Sequence, residues 1–315
     1  MSALAETLAQ PGPPGAIRAR QLQAAVRKSL IYSDLFDFPL TTGELCAYLF
    51  DVGADEEEIL QAARSCDDVV ELDGRFCLAG RQQLVAERRR RQADSERLWA
   101  RARHYASVVA ALPFVRMVAI TGSLAPGNAR AGDDIDLLLV VAQNRLWLCR
   151  LLVLALVKLS RLFGDELCPN FLLAESRLEI DGSAFPAYYA RELSHMVPLF
   201  GGRAYRDLRL ANGWTVQLLP NSNHVVRPSL ADWPAGLAGV LKRLAEAGLS
   251  LRAFDWLEAL ERRRKVARLL ARHAREQGIV ELSADRCRGH FGSYIDRMMA
   301  LFDLRCAALT RDDVA

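Results

Sequence analysis

The stretch TGSLAPGNARAGDDIDLLLV, residues 121–140, constrains this chain most. Leu137 to Val140 form an unbroken apolar run bounded by turn residues, which reads as a buried strand. Asp134 and Asp136 stand at its mouth. Side chains alternate along a strand, so Asp134 and Asp136 share one face while Ile135 and Leu137 point into the core. Two carboxylates held side by side repel each other, and a positive partner relieves that cost. A hard cation such as Mg²⁺ takes oxygen ligands, commonly one or two carboxylates plus substrate phosphates. Gly122-Ser123 closes the preceding strand. Glycine permits close backbone approach, and serine offers an N–H and a hydroxyl to a phosphate.

The rest of the chain supplies a frame. At 315 residues it is long enough for one large domain or two to three modest ones. The net charge of +3 gives no push toward nucleic acid or an anionic membrane. Seven cysteines, odd in number and without a Cys-x-x-Cys pair, argue for reduced thiols in a cytoplasm and against a disulfide or zinc framework. The lead-in, residues 1–16, is Pro/Gly-rich with no apolar signal core and is expected to be disordered. The greasiest run, LLVLALV at 151–157, is bracketed by Arg150 and Lys158 and is too short to span a bilayer.

Three helices followed by a hairpin at Asp73-Gly74 predict a winged-helix-like domain over 17–80. Its third helix carries Asp55, Glu56, Glu57 and Glu58 against one Arg64, so duplex DNA is not the expected partner. A charged linking helix follows over 81–112, with Arg88 to Arg91 expected on a solvated face or as a basic wall near phosphate. Strands are expected at 114–121, 134–141 and 167–175, with a helix before Gly164. From about 184 the chain reads as helical, with breaks at Gly201-Gly202, at residues 219–229 and near Gly278.

The pattern Gly122-Ser123, about ten residues, then Asp134-Ile135-Asp136 on a second strand resembles the signature of the nucleotidyltransferase superfamily that includes DNA polymerase beta. The likeness covers roughly residues 113–182. More loosely, the chain is similar to an uncharacterised group with a winged-helix front, this core and a helical tail. The resemblance implies an α+β fold: a small mixed-sheet nucleotidyltransferase core over 113–182, flanked by the winged helix and a helical C-terminal domain over 183–315. It implies roles too. Gly122 and Ser123 would bind the β- and γ-phosphates of an NTP, and Asp134 and Asp136 would hold Mg²⁺ (or Mn²⁺). The third carboxylate of the superfamily falls here on Asn170, which can offer a carbonyl but is no base. Glu175 or Glu192 would then supply the missing charge, or catalysis is impaired.

Other residues keep two readings. Asn128 and Arg130 are nucleotide contacts or plain loop residues, and Asp133 caps the turn. His195 is expected as a helix contact. Asn212 and Trp214 would shape an acceptor pocket or belong to the core. His104, His224, His273 and His290 lack metal-ligand spacing. The helix at 261–277 is a packing helix with a basic face. The resulting expectation is a cytoplasmic, Mg²⁺-dependent nucleotidyltransferase that passes a nucleoside monophosphate to a hydroxyl and releases pyrophosphate. A small-molecule acceptor comes first; a protein or RNA acceptor, as in toxin-like transferases, is the alternative, and a degenerate nucleotide-sensing regulator is the non-enzymatic one. No membrane partner is expected.

Overall fold

A computed structural model describes residues 14–224, 230–276, 278–291 and 293–312. Residues 1–13 of the expected lead-in, and 225–229 of an expected break, lie outside the described residues. The chain is a mixed α+β protein.

The front unit comprises α1 (Pro14–Asp34), β1 (Leu40–Thr41), α2 (Thr42–Ala47), α3 (Glu56–Arg64), β2 (Val69–Leu72) and β3 (Arg75–Leu78). Capping boxes start two of its helices: Thr41 with Glu44, and Asp55 with Glu58. Asp73 and Gly74 both take positive φ (53° and 69°), which is what a tight two-residue hairpin needs. The strands order β1-β3-β2, and Leu22, Val26, Leu45, Ile59 and Phe76 fill the small core beneath them.

Helix α4 (Gln83–Ala111) then runs for 29 residues, about 43 Å. Its arginine cluster is not a solvated face. Arg89 and Arg90 point outward, but Arg88 and Arg91, three residues apart, are buried on one side. Arg88 stacks on Phe38 and donates to Glu44 Oε1 (2.8 Å) and the Pro126 carbonyl (3.2 Å). Arg91 donates to the carbonyls of Phe36 and Asp37 and to Asn128 Oδ1 (3.3 Å). These two guanidinium groups rivet the front unit to the loop that leads into the Asp pair.

The main body contains β4 (Val115–Ile120), β5 (Ile135–Val141), α5 (Leu146–Ser160), β6 (Leu167–Ala174), α6 (Pro186–His195), β7 (Val197–Phe200), α7 (Gly202–Ala211), α8 (Thr215–Leu218), α9 (Gly236–Leu249), α10 (Asp255–Glu276), β8 (Gly278–Leu282), β9 (Arg286–Phe291) and α11 (Tyr294–Asp312). One six-stranded sheet orders β7-β4-β5-β6-β9-β8. Only β5 and β6 run parallel, joined by α5; the other neighbours are antiparallel.

The tail departs from its expected all-helical reading. Beyond residue 183 it contributes β7, β8 and β9, half the strands of the sheet, and Gly278 opens a strand rather than marking a break. Antiparallel pairing with β4 and β6 supplies the hydrogen bonds that these short strands lack alone. The tail also caps the core: Glu258 of α10 accepts from the free N–H groups of Trp147 and Leu148 at the start of α5 (2.9 and 2.7 Å). On α10, Val266 and Leu269 pack against the core while Leu270 stays half exposed.

Alternation along β5 decides what faces the site. Leu137, Leu139 and Val141 join Ala106 of α4 and Trp147 of α5 on one side. Leu138 and Val140 join Leu193 of α6 and Leu208 of α7 on the other. Asp136 lies in the second series and therefore looks toward α6. Helix α11 and α6 bring Ile295, Phe302 and Ala190 against Tyr32 and Phe50 of the front unit. No described helix is long and apolar enough to cross a membrane. All seven cysteines are unpaired.

Asn212 belongs to the core rather than to an acceptor pocket. Its amide accepts from Ile180 N (2.7 Å) and donates to the Leu178 and Leu208 carbonyls (2.8 Å each), all buried. Trp214 packs between the two clusters under the sheet. Replacing Asn212 with alanine orphans three buried backbone groups, and denaturant unfolding is expected to lose about 2–4 kcal/mol. Unchanged stability would return Asn212 to a binding role.

Candidate active site

The site grows from the end of β4. Thr121 N still donates to the Asp136 carbonyl (3.1 Å), extending the ladder one step beyond Ile120. The chain then turns sharply through Gly122–Leu124, with Gly122 at φ 63° and Leu124 anchored in the core. Any side chain at 122 would collide with the Asp136 carboxylate, since an added Cβ overlaps Oδ2. Glycine is required twice, by the left-handed backbone and by the carboxylate pressed against it. Asp133 holds the returning loop, accepting from Arg130 N (2.9 Å) and Ser123 Oγ (3.2 Å), as its expected turn-capping role requires.

Asp134, Asp136 and Cys168 offer ligand atoms within 4.8 Å of one another. Cys168 arrives through the parallel pairing of β5 with β6, opposite Asp136. The register then slips by one residue, Leu138 pairing with Phe171, and this bulge brings Asn170 beside Asp136. Asn170 Nδ2 donates to Asp136 Oδ1, and Cys168 Sγ donates to Asn170 Oδ1 (2.7 Å). The amide thus orients the carboxylate.

Burial, then Asp134, then Glu192 push the Asp136 carboxyl well above its ordinary value; the Asn170 hydrogen bond opposes them. Burial and the same two aspartates push the Cys168 thiol up as well, so it stays a protonated, poor ligand. The useful donors are hard carboxylate oxygens held close with no cationic partner between them. That set suits an oxygen-seeking divalent cation such as Mg²⁺ or Mn²⁺ rather than a thiolate-bound metal.

Two chambers open from this point. The larger, about 450 Å³, lies over Gly122, Asp136, Cys168 and Asn170, with Tyr188 and Glu192 of α6 opposite. Behind it the buried Arg288 of β9 lies over Tyr189 and Phe171, and burial lowers its pKa to about 10. The smaller, about 240 Å³, lies on the far side of Gly122-Ser123, against the front unit. Gly122, Tyr188, Glu192 and Tyr294 line both.

Gly122, Ser123, Asp134, Asp136, Asn170 and Glu192 therefore converge. Glu175 does not. It follows the far end of β6, five residues or about 16 Å from Asn170, beside Gln143 N (3.4 Å) and Arg116 (3.8 Å). Parallel strands place like ends together, so a residue after β6 lies at the end of β5 opposite Asp136. Asn128 is buried, and its amide ties Phe36 O to Arg91, a docking role. Arg130 is exposed and turns toward Asp37 (3.8 Å). His195 stands 3.2 Å from Glu192 Oε1 and lines the smaller chamber, more than a plain helix contact. Sequence reasoning missed Tyr188, Cys168 and Arg288. Tyr188, Glu192 and His195 recur at helical spacing, a signal that was present; for Arg288 there was none.

Comparison with protein-family models, with curated proteins and with solved structures returned no match.

The raised carboxyl has a measurable consequence. Above its ordinary value near 3.8, the native state holds the Asp136 proton more tightly than the unfolded chain does. Stability therefore falls as pH rises from that value toward the folded one. In chelator, Asp136→Asn is expected to melt higher than wild type at pH 7, with the gain vanishing near pH 4. A variant less stable than wild type at pH 7 would contradict this electrostatic account.

Proposed function

We propose that the chain is a divalent-cation-dependent nucleotidyltransferase that moves a nucleoside monophosphate from an NTP to a hydroxyl of a small-molecule acceptor. The observation carrying this reading is the Gly122 turn pressed against Asp136, with Asp134 and Glu192 on the same mouth. The turn's N–H groups and the Ser123 hydroxyl bind the outer phosphates. Asp134 and Asp136 hold the cation, which when bound neutralises phosphate charge and favours the ionised acceptor. The acceptor oxygen bonds to the α-phosphorus while the bond to the bridging oxygen breaks, and pyrophosphate leaves with that electron pair. Glu192 takes the hydroxyl proton, because Asn170 cannot act as a base and Glu175 is remote.

Asn170 also favours a second reading, a site that binds nucleotide without turnover, since a neutral amide stands where the resemblance implies a carboxylate. Thermal unfolding with each NTP, with and without Mg²⁺, tests the common ground. Ligand at a hundred times its Kd adds about 2.7 kcal/mol, a rise of about 2 °C or more. One Mg²⁺–NTP pair should produce it in wild type and not in Asp134→Asn/Asp136→Asn. No rise with any NTP would reject both readings. Glu192→Gln should keep the rise; with an acceptor in hand it should release pyrophosphate at least about a hundredfold more slowly.

A further inference from the structure

We propose that the smaller chamber is the acceptor site, and that it takes a single planar ring bearing an anionic group, read by Arg191. The chamber lies between the two units: Tyr32, Phe36 and Phe38 come from the front unit, Tyr188 from α6, and Gly122-Ser123 form the shared wall. Its volume of about 240 Å³ is too small for a nucleotide. A cavity of about 150 Å³ accommodates benzene, so this one admits one ring with substituents. Aromatic walls favour a flat occupant.

Arg191 supplies the charge. It is 4% exposed, stacked on Tyr48 at 3.7 Å and near Tyr32 at 5.1 Å. Its Nε and Nη1 have no hydrogen-bond partner, and neither has the buried hydroxyl of Ser33 in the same wall. Buried donors are nearly always matched in native proteins, and leaving one unmatched costs about 1–3 kcal/mol. Other buried guanidinium groups here also have unmatched N–H groups, but Arg191 is the one lining either chamber. Stacking on tyrosine can hold a cation in place, but it leaves the in-plane N–H groups unanswered. A carboxylate or phosphate on the ring answers two of them at once. Glu192, the next residue, lines the same chamber and opens onto Asp136. An occupant anchored on Arg191 can thus present a hydroxyl to the proton acceptor.

The word acceptor rests on the transferase reading; the ring-and-anion site does not. The test uses matched probes on the full chain: salicylate against salicylamide, and nicotinate against nicotinamide, followed by thermal unfolding and calorimetry. At least one acid should raise the midpoint and bind about tenfold or more tightly than its amide. Arg191→Met, which keeps the stem and removes an unpaired charge, should abolish that preference, and Asp134→Asn/Asp136→Asn should retain it. Failure of both acids on wild type, equal binding of acid and amide, or a preference that survives Arg191→Met would overturn the proposal. Since acid against amide is read on wild type, the result does not depend on how the variant folds. If no NTP binds while the acid preference stands, the transferase reading fails and the anion site remains.

Discussion

The arrangement depends on one contact, the Asp136 carboxylate against the backbone of Gly122. A half-buried carboxylate facing Asp134 and Glu192 is a costly thing to fold around. The sheet bears that cost because β5 is covered on both faces and its neighbours are fixed by long-range pairing. Strain of this kind, placed at the mouth of two chambers, is what a site that binds a cation and phosphates carries before its ligands arrive.

The tail completes what the core begins. Helix α6 carries Glu192 and Tyr188 over the sheet, and β7 pairs with β4 directly after it, which sets α6 at that distance. Arg88 and Arg91 lock the front unit against the loop between the Gly-Ser turn and the Asp pair. The smaller chamber exists only because of that docking, so the front unit contributes to the site as a wall rather than as a separate module.

Part of this was legible in residues alone. The apolar run after Asp136, the glycine turn and the Asp73-Gly74 hairpin are local signals, and each depends on backbone rules that hold without tertiary context. Asn170 beside Asp136 followed from reading two parallel strands in sequence. β7 did not, because four residues with a proline show no period. β8 and β9 gain their identity from pairing with β6, a long-range contact. Asn128 reads as a loop polar residue until Arg91 is seen against it, and Glu175 reads as a site carboxylate until strand direction places it at the wrong end.

The most direct test of the central claim is a Mn²⁺ titration followed by electron paramagnetic resonance, with wild type and Asp136→Asn side by side. The account predicts that wild type removes free Mn²⁺ from solution and that the variant binds it more weakly by about tenfold or more. Equal affinity in the two proteins would mean that the carboxylates at the mouth of β5 do not hold a cation, and the site would have to be explained without one.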